Sequence, residues 1–227
     1  MSSSIERNVL FEIIRITESS KQNSMYDFFY LASQSPRRHQ ILRDIGASFK
    51  PLDLIEGIGP EADFDESVLE GEKPLAYVSR VSMLKARAGQ QHLKKHLLIN
   101  APVLSADTTV AINDVVLGKP VDKEDAQHML ERLSGQTHEV ISVVSMHFED
   151  KMEQMISVTK VTMKQLSTDE IQRYVESDEP FGKAGGYGIQ GQASLFISRI
   201  EGSYSGVMGL PIFETGRLLE SFGFKLS

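Results

Sequence analysis

Two adjacent arginines, Arg37 and Arg38, follow a Ser-Pro pair just after an aromatic and apolar segment. Serine before proline is typical of the start of a helix, where the first N–H groups are unpaired and carry a partial positive charge. Arginine adds fixed charge and planar donor forks that match phosphate oxygens. The run from 35 to 38 therefore predicts an anion site. The alternative is that both arginines are solvated surface charges.

A lone acid, Asp107, interrupts a second apolar segment and is followed by Thr108 and Thr109. A carboxylate inside a strand is costly unless it is paired or binds a metal. The alternative is an Asx turn at the end of the strand. Lys119 lies on the other arm of the same predicted hairpin, and Pro120 holds it extended. The side chains of Asp107 and Lys119 are thus predicted to converge.

A third segment, residues 182–191, contains five glycines. It includes the pattern G-x-G-x-x-G, which in dinucleotide-binding proteins follows a strand and opens a helix. Here a helix is predicted before it and a strand after it, so we reject that interpretation. Gln190 has both a donor and an acceptor, which is the equipment needed to recognise a base edge. The alternative is an ordinary loop amide.

The elements that must position these segments alternate between strands and helices. Apolar and turn patterns predict strands at 26–33, 49–55 and 194–200 and hairpins over 102–116 and 140–163. They predict helices that begin near Ser35, Pro74, Asp125, Ser167 and Leu210, and a loop over 56–73. Because hairpins break a strict βαβ repeat, the sequence indicates an α/β domain with a mixed sheet.

Composition excludes several classes of protein. Of the 227 residues 41% are apolar, which is enough for a sizeable core, and the absence of cysteine excludes disulfide frameworks and thiol nucleophiles. A net charge of -7 disfavours binding to long nucleic acid, and no stretch reaches the roughly 20 apolar residues of a membrane span. We expect residues 1–25 to be a peripheral N-terminal extension and residues 26–227 to form the functional domain.

Five motifs carry a resemblance to a known family. LASQSPRR, SADTTV with LGKP, LSGQTHEV, DEPFGKAGGYGIQG and IEGSYSGVMGLP occur in the same order as in the Maf-like nucleoside triphosphate pyrophosphatases, over about residues 28 to 224. The resemblance implies an α/β fold related to inosine triphosphate pyrophosphatases: a mixed β-sheet with helices on both sides and two lobes around a central cleft. It also implies hydrolysis of a nucleoside triphosphate to the monophosphate and pyrophosphate, with Mg²⁺ or Mn²⁺.

The GIQG form resembles the branch acting on dTTP and UTP, so we expect those or modified pyrimidine nucleotides as substrates. The implied role is housekeeping against non-standard nucleotides or arrest of cell division, in the cytoplasm and as a homodimer. Neither a membrane nor long nucleic acid is expected as a partner. The alternative is a nucleotide-binding regulator of cell division without catalysis.

The resemblance also assigns roles to single residues. Asp107 matches the proton acceptor, and Glu66 matches a second acid that would hold the metal together with Asp107. The positions tied to base specificity are Arg37, Thr108 and Gln190. The cationic phosphate contacts are Arg38, Lys85 and Lys119, to which the charge of a triphosphate adds Lys183. Whether Asp107 acts as base or as metal ligand is left open by the sequence.

Overall fold

The computed structural model describes residues 26–54 and 66–226. In that part of the chain the strands are β1 (Phe29–Leu31), β2 (Phe49–Pro51), β3 (Val103–Ile112), β4 (Val115–Leu117), β5 (Thr137–Phe148), β6 (Lys151–Met163) and β7 (Ile197–Glu201). The α-helices are α1 (Pro36–Asp44), α2 (Pro74–Lys95), α3 (Lys123–Leu133), α4 (Thr168–Glu176), α5 (Tyr204–Met208) and α6 (Ile212–Ser221).

The described strands form one mixed sheet. Its order is β2-β1-β3-β5-β6-β7, with β4 paired to β3. Strand β1 runs parallel to β2 and β3, whereas each neighbouring pair in the order β3, β5, β6, β7 is antiparallel. The predicted α/β class with a mixed sheet is confirmed.

Helices cover both faces of the sheet. On one face Val78 of α2 packs against Ala111, Ile141 and Val143. Because side chains alternate along a strand, the intervening residues of β3 and β5 face the other side. There they contribute to two separate apolar clusters, one with α1 and α6 and the other with α3 and α4. These clusters are the cores of two lobes.

The boundary between the lobes coincides with a notch in the sheet. Strand β1 pairs with β3 only at Val103 and Leu104, and β4 pairs with β3 only from Val110 onward. Within the described part of the chain, residues 105–109 therefore pair with β5 on one side and with no strand on the other. This stretch of strand edge opens into the space between the lobes.

The predicted elements are recovered with altered boundaries. Strands β1 and β2 have three residues each, and residues 192–196 form a 3₁₀ turn, so that β7 begins at Ile197. Helix α3 begins earlier than predicted, because the side chain of Asp122 caps it by accepting from the Asp125 N–H. Helix α6 begins after Pro211 rather than at Leu210. The Ser167–Glu170 capping box is present as predicted.

Some expectations concern residues outside the described ones. The extension at 1–25 and most of the loop predicted over 56–73 belong to that group. Among the helices that are described, none combines the length and apolar character that crossing a membrane requires.

Candidate active site

Asp107 lies in the notch and is held by a lysine. Its carboxylate accepts a 2.8 Å hydrogen bond from Lys85 Nζ, which projects from α2. The same ammonium lies 3.3 Å from Glu66 Oε2. The Asp107 and Lys85 side chains are only 13% and 16% exposed, so solvent screens their attraction weakly. The interpretation of Asp107 as an Asx turn at a strand end is wrong, because the residue lies within β3 and forms a mostly buried ion pair.

The field of the two carboxylates extends to Tyr77 on α2. Burial, followed by the negative charges of Asp107 and Glu66, raises the pKa of Tyr77 to about 12. Sequence reasoning did not single out Tyr77. Burial and the two carboxylates both disfavour the negatively charged phenolate of Tyr77.

Arg38 connects helix α1 to the residue that follows helix α5. Its Nε donates to the Gly209 carbonyl at 2.8 Å, and its Nη1 donates to Ser33 Oγ at 3.2 Å. Burial lowers the pKa of Arg38, while the charge of Asp107 acts in the opposite direction. Arg38 is thus not the solvated surface charge of the alternative interpretation, and one edge of its guanidinium is fixed by the fold.

The cleft between the lobes consists of two adjoining cavities of about 170 and 650 Å³. Asp107 and Thr108 line the smaller cavity, and Glu66 lines the larger one. The cationic side chains that line both are Arg37, Arg38, Lys85, Lys119 and Lys183. Asp107 and Lys119 converge as predicted. Five cations around one cleft in an acidic protein fit a highly charged anion such as a triphosphate.

The glycine-rich segment forms part of the wall of the smaller cavity. Gly185 adopts φ +68°, and a Cβ there would lie 2.9 Å from Val110, so only glycine allows this close approach to β3. A Cβ on Gly188 would lie 3.0 Å from the Lys183 side chain. Lys183 Nζ donates to the Glu179 carbonyl, and burial and nearby Arg37 lower its pKa.

Gln190 is not brought to the site. It is exposed, and it is absent from the linings of both cavities, whereas its neighbour Ile189 lines the smaller one. Ile189 and Gln190 are the two central residues of a turn in which the Gly191 N–H donates to the Gly188 carbonyl, and only Ile189 lines the cavity. The assignment of Gln190 to base recognition stays a prediction that rests on the resemblance.

Sequence reasoning missed the apolar wall of the smaller cavity. The side chains that form it are Val110, Val140, Tyr187, Ile189, Val207 and Met208. Tyr187 is anchored from behind, because its hydroxyl lies 2.7 Å from Nε2 of the buried His138. The sequence signal for this pair was the His in LSGQTHEV. Because side chains alternate between the two faces of β5, this His lies on the face that packs against the glycine-rich segment.

Burial lowers the pKa of His138 to about 4, from an ordinary value of 6.5. The unfolded chain therefore binds a proton at this residue as the pH falls below 6.5, whereas the folded chain does so only near 4. The free energy of unfolding should fall across this window by about 3 kcal/mol, and be unaffected above it. Urea unfolding of His138→Gln should lack this part of the decline. The exposed His128→Gln variant is the control and should keep it, and identical pH dependence in all three proteins would contradict the prediction.

Removing the Arg38 side chain should mainly weaken substrate binding. Arg38→Ala removes the tether to Gly209 and the phosphate contact that the resemblance implies, so we expect KM for a triphosphate substrate to rise about tenfold or more. Arg43→Ala, in the last turn of the same helix, is a control outside the cleft. Steady-state kinetics on both variants checks this, and an unchanged KM and kcat in Arg38→Ala would remove the residue from the site.

The fold and the cleft together define an α/β protein with a cation-lined anion site and a paired acid at its centre. Residues 28–222 match the family model described as Maf-like protein. The chain belongs to the Maf-like family, and this resemblance is confirmed.

Several bacterial proteins named dTTP/UTP pyrophosphatase are similar to the chain over nearly their whole length. The protein of Dechloromonas aromatica is 47% identical over 86% of this chain and 98% of its own. That of Albidiferax ferrireducens is 49% identical over 89% of this chain and 100% of its own. Among solved structures, the Staphylococcus aureus Ham1 protein is 16% identical and covers 60% of this chain and 72% of its own, with a TM-score of 0.41. At that TM-score the likeness carries no argument.

Proposed function

We propose that the chain hydrolyses dTTP and UTP to the nucleoside monophosphate and pyrophosphate. The observation that carries the proposal is the position of Asp107, a lysine-held carboxylate at a notch in the sheet edge, in a cleft lined by five cationic side chains, Lys85 among them. The names of the relatives, dTTP/UTP pyrophosphatase, supply the substrate class. The apolar wall of the smaller cavity suits a base, and the five cationic side chains that line both cavities suit the phosphates.

In the proposed reaction, a water oxygen bonds to the α-phosphorus and the bond from that phosphorus to the α,β-bridging oxygen breaks. Pyrophosphate leaves with that oxygen, and the water proton passes to the Asp107 carboxylate before release to solvent. Arg38, Lys119 and Lys183 bind and orient the phosphate chain, and their charge offsets the charge that develops on the leaving group. One water is consumed, and both phosphate products are accounted for.

The two acids also fit a divalent cation. Lys85 Nζ lies within 3.3 Å of both carboxylates, so the fold already accommodates one positive charge between them. Mg²⁺ commonly uses only one or two carboxylates, with substrate phosphates and waters as the other ligands. In the described residues no three His, Asp or Glu side chains gather into a fuller metal site. We propose that Asp107 and Glu66 hold Mg²⁺ or Mn²⁺, which would supply charge neutralisation at the phosphates.

The proposal is tested with the purified chain and a panel of ordinary and modified ribo- and deoxyribonucleoside triphosphates, with pyrophosphate release as the readout. We expect turnover with dTTP and UTP, at rates above those for purine triphosphates. Tight nucleotide binding without pyrophosphate release would contradict the proposal. That result would favour the alternative of a non-catalytic regulator of cell division.

We further propose that residues 26–227 are sufficient for activity. The family match begins at residue 28, and every residue assigned to the cleft follows it. Deletion of residues 1–24 should leave kcat/KM unchanged within about twofold. Loss of activity in a folded truncated protein would contradict this. The homodimer, the cytoplasmic location and the housekeeping role stay predictions.

A further inference from the structure

A chain of hydroxyl groups crosses the sheet beneath the cleft. Thr108 on β3 is paired in register with Ser142 on β5, and their hydroxyl oxygens are 2.8 Å apart. Ser142 is fully buried, and its hydroxyl donates to the Gly206 carbonyl at 2.7 Å. Both residues lie where the two apolar lobes separate, so this polar chain is the floor of the gap between them.

The direction of the hydrogens in this chain is fixed. The Gly206 carbonyl has no hydrogen, so Ser142 must be the donor in that bond. A hydroxyl has a single hydrogen, and therefore Thr108 must be the donor towards Ser142. The other acceptor near Thr108, the Gly209 carbonyl, is 3.4 Å away and already accepts from Arg38 Nε at 2.8 Å.

Thr108 consequently has no hydrogen to offer the smaller cavity. Its oxygen accepts from Arg38 Nη2 at 3.5 Å and keeps one further lone pair for a ligand. An oxygen in this state accepts from a ligand N–H but has no hydrogen to offer a ligand acceptor. Uracil and thymine carry a donor at N3, whereas the same position of cytosine is an acceptor. Facing N3 of cytosine, the oriented threonine would leave two acceptors opposed.

We propose that Ser142 is a specificity-determining residue, which orients the Thr108 hydroxyl so that the site accepts the N3–H of uracil or thymine and rejects cytosine. The inference rests on the proposed function, and on placement of the base against the apolar wall beside Thr108. Ser142 itself touches no ligand and acts through Thr108.

The experiment compares kcat/KM for UTP and CTP in the wild-type chain and in Ser142→Ala. The alanine leaves the Thr108 hydrogen only the 3.4 Å contact with the Gly209 carbonyl, so that it can turn towards a ligand acceptor in the cleft. The preference for UTP should then fall about tenfold. Ser145→Ala is the matched control. Ser145 is also fully buried on β5 and bonded to a hydroxyl, that of Ser82 at 2.7 Å, but it faces α2. Its preference for UTP should equal that of the wild type.

A second variant guards against misfolding, because Ser142→Ala removes one of the two hydrogen bonds that the Gly206 carbonyl accepts, the other coming from the Gly209 N–H at 3.0 Å. Thr108→Val keeps the bond between Ser142 and Gly206 and removes only the acceptor, so it should lower the preference for UTP as well. If the ratio of kcat/KM for UTP to that for CTP is unchanged in folded Ser142→Ala, the inference is overturned and the proposed function is not. If Ser142→Ala does not fold, an unchanged ratio in Thr108→Val has the same consequence. Equal use of UTP and CTP by the wild type also overturns it. Absence of any turnover by the wild type overturns the proposed function and this inference with it.

Discussion

Replacement of Asp107 by asparagine is expected to lower kcat at least about a hundredfold, which is the scale for losing a general base. The amide keeps the size of the side chain and an oxygen that can accept from Lys85, now 2.8 Å from the carboxylate. It cannot take up a proton from water, and it binds a divalent cation more weakly. The fold should persist, because no apolar contact is removed.

The measurement for Asp107→Asn is pyrophosphate release under saturating UTP, with thermal unfolding as the check on folding. Asp114→Asn is the matched control. Asp114 lies in the turn of the hairpin that follows β3, and its 2.8 Å partner Lys73 is exposed. That variant should keep kcat within about twofold. A wild-type rate in Asp107→Asn, with unchanged metal dependence, would contradict the role assigned to Asp107.

The second large effect is expected for Lys85→Met. The substitution removes the ammonium that lies between two carboxylates and leaves a mostly buried charge without its partner. It also removes one of the five cations that line the cleft. We expect kcat/KM to fall by about tenfold to a hundredfold, and the free energy of unfolding to fall by up to about 3 kcal/mol.

Lys73→Met, which breaks an ion pair whose side chains are about 70% exposed, serves as the control and should change either quantity little. Lys85→Arg keeps the positive charge and changes the shape of the side chain, so it shows which of the two matters. If charge alone matters, it should restore most of the stability. A Lys85→Met protein with wild-type kcat/KM would mean that the lysine is only a structural partner of Asp107.

Much of the fold could be predicted from local signals. The Ser-Pro start of α1, Pro74 at the start of α2 and the Ser167–Glu170 box each mark a helix terminus by their own chemistry. The boundaries of β1 and β2 could not be predicted from local signals, because a short parallel strand extends only as far as the strand with which it pairs. Such partners come from distant parts of the chain.

The candidate site divides in the same way. The unusual positions of Asp107 and the paired arginines made them visible, since an acid in a strand and cations at a helix start are each unfavourable without a partner. The roles of Ser142 and Tyr187 could not be predicted, and His138 was marked only by its place in LSGQTHEV, because these roles depend on the register between strands and on the path of the glycine-rich segment. The position of Gln190 depends on one turn, which no local pattern fixes.

The central claim is attack of water on the α-phosphorus of a nucleoside triphosphate at Asp107. It is tested most directly by turnover of UTP in water enriched in heavy oxygen, with mass spectrometry of both products. The account predicts one labelled oxygen in the α-phosphate of UMP, none in pyrophosphate, and formation of labelled UMP by Asp107→Asn at a rate at least about a hundredfold lower. Label in pyrophosphate, release of UDP and phosphate, or undiminished labelling by Asp107→Asn would contradict it.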